Sequence, residues 1–111
     1  MAVSKADLAA ALDLFADLPG EITHRAMMGG QILYADGQIF GAVMGEAGIH
    51  IRAKGRLAAR LAAAGATQFV WTRPSDGRAM PMGYWSLPEA ALDAPEEACD
   101  WARAALEAGD E

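Results

Sequence analysis

The sequence predicts an α+β domain in two layers, helices packed on one five-stranded antiparallel sheet, in the order α-β(3)-α-β(2)-α. Three observations carry that expectation. Asp36-Gly37 stands between the apolar runs Gln31–Ala35 and Gln38–Met44, and a type I′ hairpin turn needs two residues that tolerate positive φ. Ile49-His50-Ile51-Arg52 alternates strictly, the pattern of a strand with one face buried and one wet. Leu8, Leu12, Phe15 and Leu18 recur at helical spacing and line one side of an amphipathic helix. Antiparallel hairpins with few helices pack economically as two layers. A chain of 111 residues is expected to form one domain, 1–111, around a single modest core.

The first helix is predicted over about 4–18. Ser4 suits its N-cap, Asp7 gives a weaker form of the capping box, and Pro19-Gly20 ends it. Residues 21–30 read as a connector. The Asp36-Gly37 hairpin follows, then a turn at Glu46-Ala47-Gly48 and the strand 49–52, on which Ile49 and Ile51 point inward and His50 and Arg52 outward. Leu57, Ala58, Leu61 and Ala62 mark a second helix over about 55–64, closed by Gly65. Gln68–Thr72 has strand composition, and Pro74-Ser75-Asp76-Gly77 turns the chain into a fifth strand over 78–85. Pro81 should confine that strand to an edge or a bulge. Leu87-Pro88-Glu89 begins a helical turn. Pro95 opens the last helix, with Glu96 and Glu97 at its positive end, Ala98, Trp101, Ala102 and Ala105 on its inner face, and Gly109 at its close.

Composition narrows the function classes. No stretch approaches the roughly 18 uninterrupted apolar residues of a spanning helix, and the N-terminus lacks the pattern of a signal peptide. A cytoplasmic protein is therefore expected, and the single Cys99 fits a reducing compartment. The net charge of −6 conceals a division. Residues 22–88 carry seven basic side chains against Asp36, Glu46 and Asp76, whereas residues 89–111 carry Arg103 against eight acids. An acidic domain is a poor binder of DNA on its own, since non-specific affinity comes from neutralising phosphates. Protein partners fit better.

Nothing in the chain assembles into recognisable reaction chemistry. The histidines His24 and His50 and the lone Cys99 do not make a metal set, and no cofactor is expected. Cys99 has Glu96, Glu97 and Asp100 beside it, the wrong surroundings for a low-pKa nucleophile. Ser4, Ser75 and Ser86 have cap and turn roles and no evident His/Asp partners. No catalytic residue is assigned, and the chain is not expected to be an enzyme. Gly29-Gly30 lacks the context of a phosphate loop; its glycines are expected to let the backbone turn, the alternative being contact with a small ligand. Met27, Met28, Met44, Met80 and Met82 suit an irregular core or an adaptable surface. Arg52, Lys54, Arg56 and Arg60 form the one basic concentration, a candidate patch for an acidic partner.

Several motifs stand in a telling order: Arg25-Ala26-Met27-Met28-Gly29-Gly30, then Tyr34-Ala35-Asp36-Gly37-Gln38-Ile39-Phe40-Gly41-Ala42-Val43, then Met82-Gly83-Tyr84-Trp85-Ser86-Leu87-Pro88-Glu89, Leu92-Asp93 and Trp101-Ala102-Arg103. Over nearly the whole chain this set resembles the N-terminal domain of the TfoX/Sxy family of bacterial competence regulators. The resemblance implies the two-layer α-β(3)-α-β(2)-α fold seen also in secretion-chaperone-like proteins. It implies a non-enzymatic role in transcriptional control of DNA uptake, beside a cyclic-AMP-responsive activator. Arg25, Met27, Gly29, Gly30, Asp36, Gly37, Tyr84, Trp85 and Pro88 become the candidate interaction or motif positions. Two departures stand out: Met28 replaces a common aromatic, and no counterpart of the helical C-terminal domain of longer regulators is expected. A stand-alone interaction module with a protein partner, such as a transcription regulator, is the leading expectation. A small-ligand-binding domain using the Gly29-Gly30 region is the alternative, and an exposed edge strand would allow a homodimer.

Overall fold

The sheet has six strands where the sequence predicts five. A computed structural model describes residues 4–27 and 29–108. Its elements are α1 (Lys5–Leu14), β1 (Ile22–Met27), β2 (Gly30–Ala35), β3 (Gln38–Val43), a short 3-10 turn (Gly45–Ala47), β4 (Ile49–Arg52), α2 (Gly55–Ala63), β5 (Gln68–Thr72), β6 (Ala79–Ser86), α3 (Glu89–Leu92) and α4 (Pro95–Ala108). All pairings are antiparallel, in the spatial order β1-β2-β3-β4-β6-β5. The class is α+β with helices on one sheet, as expected. The additional strand is β1, in the segment expected as a connector. It shows no alternation because beyond Ile22 every one of its side chains is exposed, so no buried face imposed a pattern on its sequence.

The turns follow the local chemistry. Asp36 and Gly37 both take positive φ, 48° and 81°, as a type I′ turn requires. Asp36 has a second task. Its N–H donates to the Glu21 carbonyl at 2.9 Å, and its Oδ1 accepts from the Glu21 N–H at 2.8 Å. Pro81 lies in an inner strand, beside the bulge that the sequence allowed for, since β6 carries two surplus residues between Val70↔Pro81 and Gln68↔Trp85. β4 reaches β6 only at Tyr84–Ser86, with flanking bonds from the Ala53 N–H to the Gly83 carbonyl and from the Leu87 N–H to the Ile49 carbonyl. At Pro81 one side of β6 is therefore a local edge, which tolerates proline.

The main core fills the space between sheet and helices. α4 crosses β3 and β4, α1 lies beside it on β3, and α2 packs on β6 and α4. Phe15 and Phe40 meet edge-to-face at a centroid distance of 5.1 Å, surrounded by Leu33, Ile51, Leu57, Leu61 and the small residues Ala98, Ala102 and Ala105 of α4. Alanines on α4 let that helix sit close to the strands. Ser4 Oγ accepts from the Asp7 N–H at 3.1 Å, the predicted N-cap. α1 stops at Leu14 rather than 18 because the following turns tighten to three-residue bonds, Ala16 to Asp13 and Leu18 to Phe15. Phe15 and Leu18 are buried all the same. The expected stop at Gly109 lies outside the described residues.

Candidate functional site

Of the signature positions, Arg25, Met27, Gly29 and Gly30 lie on the β1–β2 hairpin and Tyr84 on the sheet face that carries no helix, whereas Asp36, Gly37, Trp85 and Pro88 lie elsewhere. β1 and β2 pair without a break from Ile22↔Ala35 to Met27↔Gly30. Gly29, at φ 79°, completes the short connection, while Met28 lies outside the described residues. Residues directly opposite in an antiparallel pair share a face. Leu33 belongs to the main core, so its partner His24 lies on the helical side. Ile32 belongs to a second cluster, so its partner Arg25 lies on the outer side, with Thr23 and Met27 in the same row.

That outer face is not the wet surface that alternation in β4 suggested. Ile32, Ala42, Met44 and Tyr84 are buried there, with Tyr34, Ile39, Phe69 and Met82 packed around them. His50 was expected to be exposed; it is 3 % exposed, beneath the Phe69 ring at 5.6 Å in edge-to-face contact. Its Nδ1 lies 2.9 Å from the Gly48 carbonyl; a carbonyl only accepts, so Nδ1 carries the proton. Burial pushes the imidazole pKa below the usual histidine value, and the bond to Gly48 opposes that in part. His50 is thus a neutral member of the second cluster, with its ring packed as an apolar group. Phe69 arrives from β5, distant in sequence, and no local pattern could announce it.

The two glycines have backbone explanations. A Cβ on Gly30 would stand 2.5 Å from the Val43 carbonyl oxygen and 2.9 Å from Met44 Sδ, so only glycine lets β2 approach the end of β3. Gly30 is buried and Gly29 turns. Three described clefts are lined by Arg60, Glu97, Asp100 and Trp101, by residues of α1 and the 3-10 turn with Leu92, and by Asp17 with the α3–α4 junction. None of the three is lined by Gly29, Gly30 or Tyr84.

The remaining candidates divide between scaffold and surface. Tyr84 is buried on the outer face, Trp85 is half-buried on the helical side, and Pro88 is the buried N-cap of α3. Asp36 and Gly37 hold the turn. Arg25 and Met27 are exposed, Met27 at 43 %. The basic quartet is not brought onto one surface. Arg52 is opposite Tyr84 on the outer face, and Lys54 lies along Gly83. Arg56 is exposed on α2, and Arg60 covers the Trp101 ring at 5.2 Å in the helical layer. Thr23 and Phe69 were not singled out from sequence, and Tyr34 stood only as the first residue of a family motif; the β-branched start of Ile22-Thr23 and the glycine after Met28 were the available signals for Thr23.

Cys99 and His24 each have a partner within the fold. Cys99 is buried, its Sγ 3.7 Å from the Leu14 carbonyl, and burial pushes its thiol pKa up, against the lowering effect of Arg103. His24 Nδ1 meets Gln31 Oε1 at 3.0 Å. Among the described residues, no group of three His, Cys, Asp or Glu side chains is placed to hold a metal, and no helix is long and apolar enough to cross a membrane.

Comparison with known proteins agrees with the arrangement of motifs. No curated protein matches the chain. The family description of the TfoX N-terminal domain matches residues 13–109, a span that includes the hairpin, both sheet faces and the terminal helix. The chain belongs to the TfoX N-terminal domain family.

Proposed function

We propose that the chain is a non-enzymatic protein-interaction module of the cytoplasm, acting in transcriptional regulation of the competence type through a protein partner. One observation carries the reading. Of the family-signature positions, Gly30, Tyr84 and Pro88 are built into the fold, whereas Arg25 and Met27 stand exposed on β1. An exposed cation beside an exposed apolar side chain is a composition that protein interfaces favour. The net charge of −6 argues that any promoter is reached through the partner rather than by the domain itself.

The test combines capture with genetics. The wild-type chain, used as bait in an extract of its own cells, retains a specific protein that Arg25→Ser and Met27→Ser baits lose. Deleting the gene changes transcription, and only the wild-type copy restores it. Retention of nothing specific, together with an unchanged transcript profile, overturns the proposal.

A further inference from the structure

We propose that two copies of this chain pair through β1, edge to edge and antiparallel about a two-fold axis at Thr23, to continue the sheet from one copy into the next. β1 is an outermost strand of the sheet, and among the described residues its only extensive neighbour is β2. The Glu21 carbonyl accepts from the Asp36 N–H, so Glu21 turns its polar backbone toward β2. Alternation then directs Thr23, Arg25 and Met27 the same way and leaves Ile22, His24 and Ala26 offering N–H and C=O outward. Such a row is a template for another strand.

The two edges of the sheet are differently defended. β5, at the other end, pairs with β6 through an interrupted ladder, because β6 carries two surplus residues between Gln68↔Trp85 and Val70↔Pro81, and only Val70–Thr72 keeps a regular register on that edge. β1 has no bulge, proline or lysine, and its register with β2 is continuous. Pairing β1 with β5 of another copy would be head-to-tail and would not close on itself, whereas β1 with β1 closes as a dimer.

The sequence of this edge complements itself. With Thr23 facing Thr23 of the second copy, Ile22 exchanges backbone bonds with His24, and Glu21 lies directly opposite Arg25, twice by symmetry. Threonine pairs and opposite charges are both favourable cross-strand partners. Glu21 and Arg25 are exposed and form no ion pair with another described residue in their own chain. Centring the axis on His24 instead would bring the two Arg25 side chains diagonally together. Charge therefore selects the Thr23 register. The pairing shares Arg25 with the function proposed above; Thr23→Cys cross-linking and rescue by Glu21→Arg read the pairing alone, and Met27→Ser reads that function alone.

The experiment is sedimentation combined with cross-linking of the full chain. The wild type sediments as twice its 11.6 kDa mass at high concentration and dissociates on dilution. Thr23→Cys, oxidised with glutathione disulfide, gives a disulfide-linked dimer, because opposed residues at that kind of position have Cα atoms about 4.5 Å apart, within bridging range. Thr72→Cys on β5 does not. Arg25→Glu sets carboxylates against carboxylates and weakens the dimer by about tenfold or more; adding Glu21→Arg restores it. His24→Pro removes an outward N–H and gives a folded monomer, and if that variant does not fold, the charge pair still decides. A wild-type monomer at all concentrations overturns the proposal. So does a dimer indifferent to Arg25→Glu, or Thr23→Cys cross-linking no faster than Thr72→Cys.

Discussion

β1 and β2 are neighbours in one hairpin, paired residue for residue, yet they experience opposite environments. β2 is closed on both sides. Leu33 faces the helical core and Ile32 the second cluster, and both are fully buried. Beyond Ile22, which packs on the main core, β1 is exposed on both sides, and it is an outermost strand. One strand supports the fold while the other presents side chains and backbone outward, although a short connection carries the family signature from one into the other. Signature membership therefore does not separate buried from presented positions here; packing does.

The largest effects are expected in β2. Leu33→Ala and Ile32→Ala each remove a buried side chain and should cost about 2–5 kcal/mol, read by denaturant unfolding. The comparison sharpens if the two costs agree, because no helix covers Ile32. A cost below about 0.5 kcal/mol for Ile32→Ala would make the outer face an ordinary surface and break it. Gly30→Ala follows, at about 1–3 kcal/mol, since the new Cβ meets the Val43 carbonyl oxygen at 2.5 Å and backbone must shift.

A smaller effect tests the second cluster through pH. Burial lowers the His50 pKa in the folded state, so the unfolded chain takes up a proton first as pH falls. The stability tied to His50 is complete above the ordinary histidine pKa of about 6.5. It is lost as pH falls from there toward the folded value. Thermal unfolding at pH 7 and pH 5 should show a loss that is reduced in His50→Asn, which keeps an N–H for the Gly48 carbonyl. An equal loss in both proteins would place His50 outside the cluster.

How much of this was legible in the sequence depends on whether the cause was local. The Asp36-Gly37 turn, the Ser4 cap and the Pro95 helix start were readable because each rests on residues within a few positions of one another. β1 escaped detection because an edge strand exposed on both sides needs no apolar pattern, and Ile22-Thr23-His24-Arg25-Ala26-Met27 has none. His50 was misplaced for the opposite reason. Alternation put it correctly on the outer face, but the Phe69 ring that meets it there comes from β5, far along the chain. The basic quartet looked continuous along the sequence, and the sheet then separates Arg52 from Arg60. The motif order identified the family, yet which motif residues remained available for contact emerged only from the packing.

The central claim is that β1 displays and does not support. Met27→Ser tests it most directly, with unfolding and partner capture measured on the same protein. The account predicts stability within about 0.5 kcal/mol of wild type and loss of the captured partner. A substantial fall in stability, or capture at the wild-type level, would contradict it.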